Sequence, residues 1–297
     1  MLDGLRAKAP FHAYRAASTV ARALPAPAAA GLATGLGAVF ARTMKGRRRV
    51  VERNLQRVRG QTLSPTELRQ GVAEAFHSYA LYWMESFRLP DLSADELDAR
   101  MTYDGYPRIV EAVATGRGVI VALPHLGGWD FGGAWLASQG YPATVVVEAL
   151  DPPELFEWFA DFRRSLGLTI VPHGRDAGTA VLRTLRAGGV VGLVSDRDLE
   201  GNGVEVEFFG EKTTLPGGPA TLALRTGAVL LPAAVYFEGR DHHRGMVLPA
   251  IDTTKTGKLR DDVQRVTQDL AYALEDLIRR APEQWHLMQP NWPSDRV

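Results

Sequence analysis

The sequence predicts an α/β fold: a mostly parallel central sheet flanked by helices, with a helical extension at the N-terminus. Beyond residue 105, short apolar runs at 118–123, 143–148, 168–171, 190–195, 204–209 and 229–237 read as strands, and helical stretches at 129–138, 154–166, 176–187 and 218–226 separate several of them. Strands alternating with helices imply a parallel sheet covered on both faces. Before residue 105 the apolar residues recur instead at helical spacing.

In chain order, Phe11, Tyr14, Ala17, Ala21 and Leu24 mark a first helix. Residues 23–41 carry no charge and nearly reach bilayer-spanning length, but they are mostly Ala and Gly and contain Pro25 and Pro27, so a surface helix or helix pair is expected. Val51, Leu55 and Val58 mark the next helix. Ser64 reads as a helix cap, Pro65 as the first helical residue and Glu67 as the partner of the cap. Residues 66–88 follow as an aromatic-rich helix with Phe76, Tyr79, Tyr82, Trp83 and Phe87. A final amphipathic helix runs from about Lys258 to Arg280, with Val263, Val266, Leu270, Leu274 and Leu277 on one face. There is no internal repeat and no clear linker. The expected organisation is a helical, membrane-associating segment over 1–104 packed on an α/β core over 105–297, together one structural domain.

Composition narrows the function. With 297 residues and 45% hydrophobic content, the chain can bury a large core. A formal net charge of zero argues against a dedicated nucleic-acid binder. The absence of cysteine excludes disulfides, thiolate zinc sites and a cysteine nucleophile. No Gly-x-Ser-x-Gly elbow, Walker loop or dinucleotide fingerprint is present.

The most informative feature is the run Leu123-Pro-His125-Leu-Gly-Gly-Trp-Asp130. His125 falls at the exit of a predicted strand and Asp130 in or near the first turn of the following helix. Such junctions hold catalytic side chains against a crevice, and a carboxylate beside a histidine fixes its tautomer and stabilises its charged form. Gly127, Gly128, Gly132 and Gly133 strip side chains from around the pair. Backbone N–H groups at the helix start can stabilise an oxyanion.

Other clusters carry less by themselves. Asp196-Arg197-Asp198-Leu199-Glu200-Gly201, with Glu207, nearly matches a calcium loop, but a strand precedes it where a helix is required. It reads better as a second strand end presenting carboxylates to the crevice of His125. Glu148 ends a strand, and Arg163 and Arg164 lie near a helix end; carboxylates suit sugar hydroxyls and arginines suit phosphates. His242 and His243 would point to opposite faces of a strand. Between residues 41 and 60, eight basic residues, including Arg47, Arg48, Arg49 and Arg53, face one acidic residue, Glu52. That pattern fits a helix lying on an anionic membrane surface, or a solvated helix docked on the core.

His-x4-Asp at a strand-to-helix junction resembles the first motif of the glycerolipid acyltransferases. Arg47-Arg-Arg-Val-Val-Glu-Arg-Asn-Leu55 resembles the arginine-rich opening segment of the bacterial lipid A acyltransferase family, and Phe162-Arg-Arg-Ser-Leu-Gly167 its second block, with Arg163 at the family's arginine. Asp196-Arg-Asp198 resembles its Asp-Gln-Asp turn. Phe208-Phe-Gly210, Pro216-Gly-Gly-Pro-Ala220 and Leu231-Pro232 follow in the family's order, and Pro282 to Trp292 is most similar to its branch acting on phosphatidylinositol mannosides. The resemblance covers nearly the whole chain. Two departures stand out: Gly128 where the family usually has Asn, and Arg197 where the lipid A enzymes have Gln.

The resemblance implies transfer of a long acyl chain, palmitoyl, from acyl-CoA as co-substrate to a mannose hydroxyl of a mannosylated phosphatidylinositol or related glycolipid. No other cofactor and no metal is implied. His125 is the implied general base, with Asp130 orienting its ring. Glu148, Arg163, Arg164, Asp196, Arg197, Asp198, Glu200 and His286 form the expected substrate-binding set. Arg47, Arg48, Arg49 and Arg53 are expected at an anionic membrane surface on the cytoplasmic face of the plasma membrane, with the protein held there peripherally. A lipid A-type acyltransferase with another acceptor, a thioesterase or lipase using the same histidine on water, and a non-catalytic lipid-binding protein are the competing readings.

Overall fold

The computed structural model describes residues 8–60, 63–148, 150–174, 176–239 and 241–296; the first seven residues of the expected helical segment lie outside them. The N-terminal part is helical: α1 (Ala9–Ala23), α2 (Ala26–Thr43), α3 (Lys45–Arg59), α4 (Pro65–Arg88) and α5 (Ala94–Ala99). There follow β1 (Met101–Asp104), α6 (Pro107–Ala114), β2 (Val119–Leu123), α7 (Trp129–Ser138), β3 (Ala143–Val147), α8 (Pro153–Ser165), β4 (Thr169–Pro172), α9 (Ala177–Arg186) and β5 (Val190–Val194). The chain closes with β6 (Val204–Phe208), β7 (Glu211–Leu215), α10 (Gly218–Thr226), β8 (Val229–Glu238), β9 (His242–Val247) and α11 (Leu259–Arg279).

Seven strands form one sheet in the order β1-β9-β8-β2-β5-β3-β4, parallel throughout except for the β8–β9 pair. Alternation along the strands sorts the two faces. Ile120, Ala122, Val191 and Leu230 pack under α9, α10 and α11; Val119, Val121, Val190 and Leu231 pack under α6 and α7. Each large side chain fully buried in these layers contributes about 1.5–3 kcal/mol relative to exposure.

Four strands differ from the sequence reading: β1, β7 and β9 lie outside the expected runs, and β6 lies outside the central sheet. β1 lies before residue 105, so the expected boundary falls within the sheet; it is a short edge strand with only Met101 buried, and leaves little apolar pattern. β9 is an edge-side strand, rich in His and Arg, recruited by antiparallel pairing with β8. The run 204–209 does form a strand, but it pairs only with β7 in a separate two-stranded hairpin, beneath which α11 packs.

Small residues bring the N-terminal helices close together. Ala29, Ala33 and Gly37 of α2 are buried, and a methyl group on Gly37 would come within 2.9 Å of His77 Cα in α4. Leu32, Leu36 and Val39 remain exposed on the same helix. No helix among the described residues is long and apolar enough to cross a membrane. The basic helix α3 buries Val50, Val51, Asn54, Leu55 and Val58 against the core. Arg57 stacks on Trp292, 4.2 Å from its ring centre, and pairs with Glu211 at 2.8 Å and Asp295 at 2.7 Å. Arg53 donates to the Ser294 carbonyl at 2.9 Å, and Arg48 pairs with Glu52 at 2.8 Å; Arg47 and Arg49 are exposed. Arg48 and Arg53 thus each engage a protein partner while their side chains stay 42% and 40% exposed.

Ser64 and Glu67 form the expected reciprocal cap of α4, at 3.3 and 2.8 Å. Ser64→Ala is expected to lower stability by about 1 kcal/mol, read from urea unfolding. An unchanged midpoint would mean that packing alone fixes the start of α4.

Candidate active site

Strands β2, β5 and β3 are neighbours in the sheet, so the residues following each are brought together at one edge. His125 follows β2, Asp196 follows β5 and Glu148 follows β3. The carboxyl ends of parallel strands are where such sheets bind ligands. Pro124 and Gly127 shape the exit of β2. Gly127 has φ +57°, and a methyl there would meet the Val235 carbonyl at 2.1 Å, so only glycine lets the turn lie flat on β8.

The His125 ring is held by Asp196. Its Nδ1 donates to Asp196 Oδ1 at 2.7 Å, and its backbone N–H donates to Oδ2 at 3.0 Å. Trp285 Nε1 donates to the same Oδ2 at 2.7 Å, and Asn291 donates to the Asp196 carbonyl at 3.1 Å. Asp196 is fully buried. Burial pushes its pKa up, but the charge of His125 and the hydrogen bonds from His125 and Trp285 outweigh this and hold it below the usual carboxylate value. With Nδ1 occupied, Nε2 is the ring nitrogen left to exchange a proton.

Asp130 does not orient the ring, contrary to the sequence expectation. Its Oδ1 accepts from Arg163 Nε at 2.9 Å, and its Oδ2 accepts from Arg163 Nη2 at 3.2 Å and from Tyr82 at 2.7 Å. The tight turn at Gly127 and the start of α7 direct this carboxylate toward α8 and α4 instead. Burial lowers the Arg163 pKa, but Asp130 more than compensates and holds the guanidinium firmly protonated. Burial, with Asp130 beside it, raises Tyr82 well above the ordinary tyrosine value.

His286 is buried beside His125. Its backbone N–H donates to the His125 carbonyl at 2.7 Å, its Nε2 lies 2.9 Å from Ser78 Oγ, and its Nδ1 has no protein partner. Burial, and next the charge of His125, lower its pKa to about 3.

These groups border a groove of about 780 Å³. Its apolar part runs along the sheet beneath α7, past Val121, Val145, Leu168 and Ala233, to Trp135 and Tyr106. Glu148, Arg197, Asp198 and Glu200 line the same groove. Both Asp198 oxygens are taken by its own loop and hairpin, accepting from the backbone of Glu200, Gly201 and Gly203 and from Thr214. Glu200 lies 3.4 Å from His173. Arg164 does not face the groove: one step around the helix from Arg163, it is exposed and bonds Asp161 at 2.6 Å. The sequence reading brought Asp196 to this crevice but gave the ring-holding role to the carboxylate nearer in sequence. It left out Tyr82, Ser78 and Trp285, whose only signal was an aromatic-rich helix and a C-terminal block.

The profile of the bacterial lipid A biosynthesis acyltransferases matches residues 6–294. The chain is 37% identical to the phosphatidylinositol mannoside acyltransferase of Mycolicibacterium smegmatis over 286 residues, covering 95% of this chain and 91% of that one. It is 38% identical to the Mycobacterium tuberculosis protein of the same name over 289 residues, covering 95% and 88%. A lipid A biosynthesis acyltransferase of Haemophilus influenzae is 29% identical over 200 residues, covering 65% of this chain and 59% of its own.

The depressed pKa of His286 sets an acid sensitivity. Unfolding restores its ordinary value of 6.5, so the unfolded chain takes up the proton first as pH falls below 6.5. Its contribution is complete above that value and is lost toward the folded value of about 3. From about pH 6.5 to 4.5 it removes up to about 1.4 kcal/mol per pH unit. In His286→Gln this slope is expected to flatten, as measured by urea midpoints across that range; equal slopes would contradict it.

Proposed function

The chain belongs to the bacterial lipid A biosynthesis acyltransferase family and is an acyltransferase, and from that premise we propose that it moves a palmitoyl chain from acyl-CoA to a mannose hydroxyl of a phosphatidylinositol mannoside. The acceptor follows from the names of the mycobacterial relatives and from the similarity along the whole chain. His125, presented at the groove with Nδ1 committed to Asp196, is the single observation that carries the chemistry.

In this reading His125 Nε2 takes the proton from the sugar hydroxyl as its oxygen bonds to the thioester carbon. The tetrahedral intermediate then collapses, the C–S bond breaks, and the departing sulfur recovers the proton from the imidazolium. Asp196 stabilises that imidazolium. Arg163, fixed by Asp130, and the first amides of α7 stabilise the oxyanion. The apolar channel beneath α7 takes the acyl chain. Glu148, Arg197 and His286 are acceptor contacts. The N-terminal helices rest peripherally on the cytoplasmic leaflet, with exposed Leu32, Leu36 and Val39 of α2 entering lipid beside Arg47 and Arg49.

The test is radiolabelled palmitoyl-CoA with purified phosphatidylinositol mannosides. His125→Ala should transfer essentially nothing. Asp196→Asn should lower kcat by about 10²- to 10⁴-fold, and Asp130→Asn should act less strongly. The reverse ranking would return the ring-holding role to Asp130. Hydrolysis that added acceptor fails to slow would point to a thioesterase.

Membrane docking is checked by co-sedimentation with anionic liposomes. Leu36→Glu with Val39→Glu should leave most of the protein in the supernatant, and Arg47→Glu with Arg49→Glu should weaken binding chiefly at low salt. Pelleting unaffected by either pair would rule out this face.

A further inference from the structure

Gly128 is the N-cap residue of α7 and makes no side-chain cap. Its φ of −97° does not require glycine. Space does: a methyl there would come within 2.9 Å of His243 Cδ2, 3.0 Å of His243 Nε2 and 3.1 Å of Glu85 Oε2. His243, from β9, is 1% exposed and lies face to face with Phe131, ring centres 3.8 Å apart and planes 13° apart. Its Nε2 is 2.9 Å from Glu85 Oε1, outside hydrogen-bond geometry, so an imidazole and a carboxylate are packed against each other beneath the turn that carries His125 and Asp130. Neither residue lines the groove.

We propose that Glu85 and His243 are positioning residues that stand in for a side chain at position 128, filling the space at the start of α7 and setting its angle to β2. The proposal rests on the acyl-transfer reading of the site. Three observations support it. His243 is anchored on the sheet, its backbone N–H donating to the Arg100 carbonyl at 2.7 Å. Its ring presses on Phe131, the neighbour of Asp130. Glu85 brings a carboxylate close to the N-terminus of α7, where negative charge is favoured.

The experiment is an exchange: Gly128→Asn, His243→Ala and the double variant, Asn being a strong N-cap residue. Each single change is expected to lower kcat by about 10- to 100-fold, with KM for palmitoyl-CoA little changed, because the turn is misplaced. Gly128→Asn should also lower the melting temperature. The double variant should recover kcat to within about threefold of the unsubstituted protein and melt above Gly128→Asn. Additive losses in both readouts overturn the proposal. Recovery of melting temperature without kcat shows packing alone and overturns the positioning role. If His243→Ala does not fold, Glu85→Ala removes the other half of the obstruction and takes its place in the cycle. The melting arm needs no substrate, so it stands apart from the catalytic reading, which fails separately if His125→Ala transfers palmitate.

Discussion

The structure turns on one buried carboxylate. Asp196 is closed off from solvent, and a charge in that position is tolerated only if donors surround it. It takes donors from the exit of β2, through the backbone and ring of His125, and from the C-terminal block, through Trp285. Asn291 adds a bond to its backbone. Three stretches distant in sequence are thereby held to one another within hydrogen-bond distance. That same Trp292-bearing block carries Asp295, onto which Arg57 of α3 is clamped. The basic helix thus reaches His125 through a chain of packed and hydrogen-bonded groups, and its inward-facing Arg57 belongs to the architecture of the site.

A second thread runs along α4. Ser78, Tyr82 and Glu85 lie at successive helical turns on one stripe; Ser78 and Tyr82 meet His286 and Asp130 at the groove, and Glu85 meets His243 behind it. The helix that packs against α2 on one side is a wall of the groove on the other. The N-terminal extension therefore packs directly on the α/β core, and the sheet itself begins with β1 before residue 105.

Much of this was legible in the sequence, for identifiable reasons. Helices 129–138 and 218–226 carry apolar faces bounded by glycine and match the structure residue for residue. Ser64-Pro65-x-Glu67 encodes its own cap. The strands buried on both faces read as apolar runs. What escaped was set by partners elsewhere in the chain: β1 and β9 are polar and exist through pairing, and the hairpin β6–β7 stands apart from the sheet. The His125 partner escaped for the same reason. Sequence proximity favoured Asp130, but strand order puts β5 beside β2, and only strand order makes Asp196 the neighbour.

The two carboxylates then have separate work. Asp196 pairs with the imidazole of His125 and Asp130 with the guanidinium of Arg163, so each buried carboxylate has its own donor and neither competes for the other's. An unpaired buried guanidinium would be strongly disfavoured, and that explains why a histidine motif can carry a carboxylate that never touches the histidine. Asp130 holds Arg163 rigid at the groove wall, with Tyr82 adding a third donor to the carboxylate. The buried charges of Asp130 and Arg163 thus neutralise each other beside the apolar channel. In the proposed reaction, negative charge developing on a thioester carbonyl would meet fixed donors that need not reorganise, which is where preorganised electrostatics contribute most.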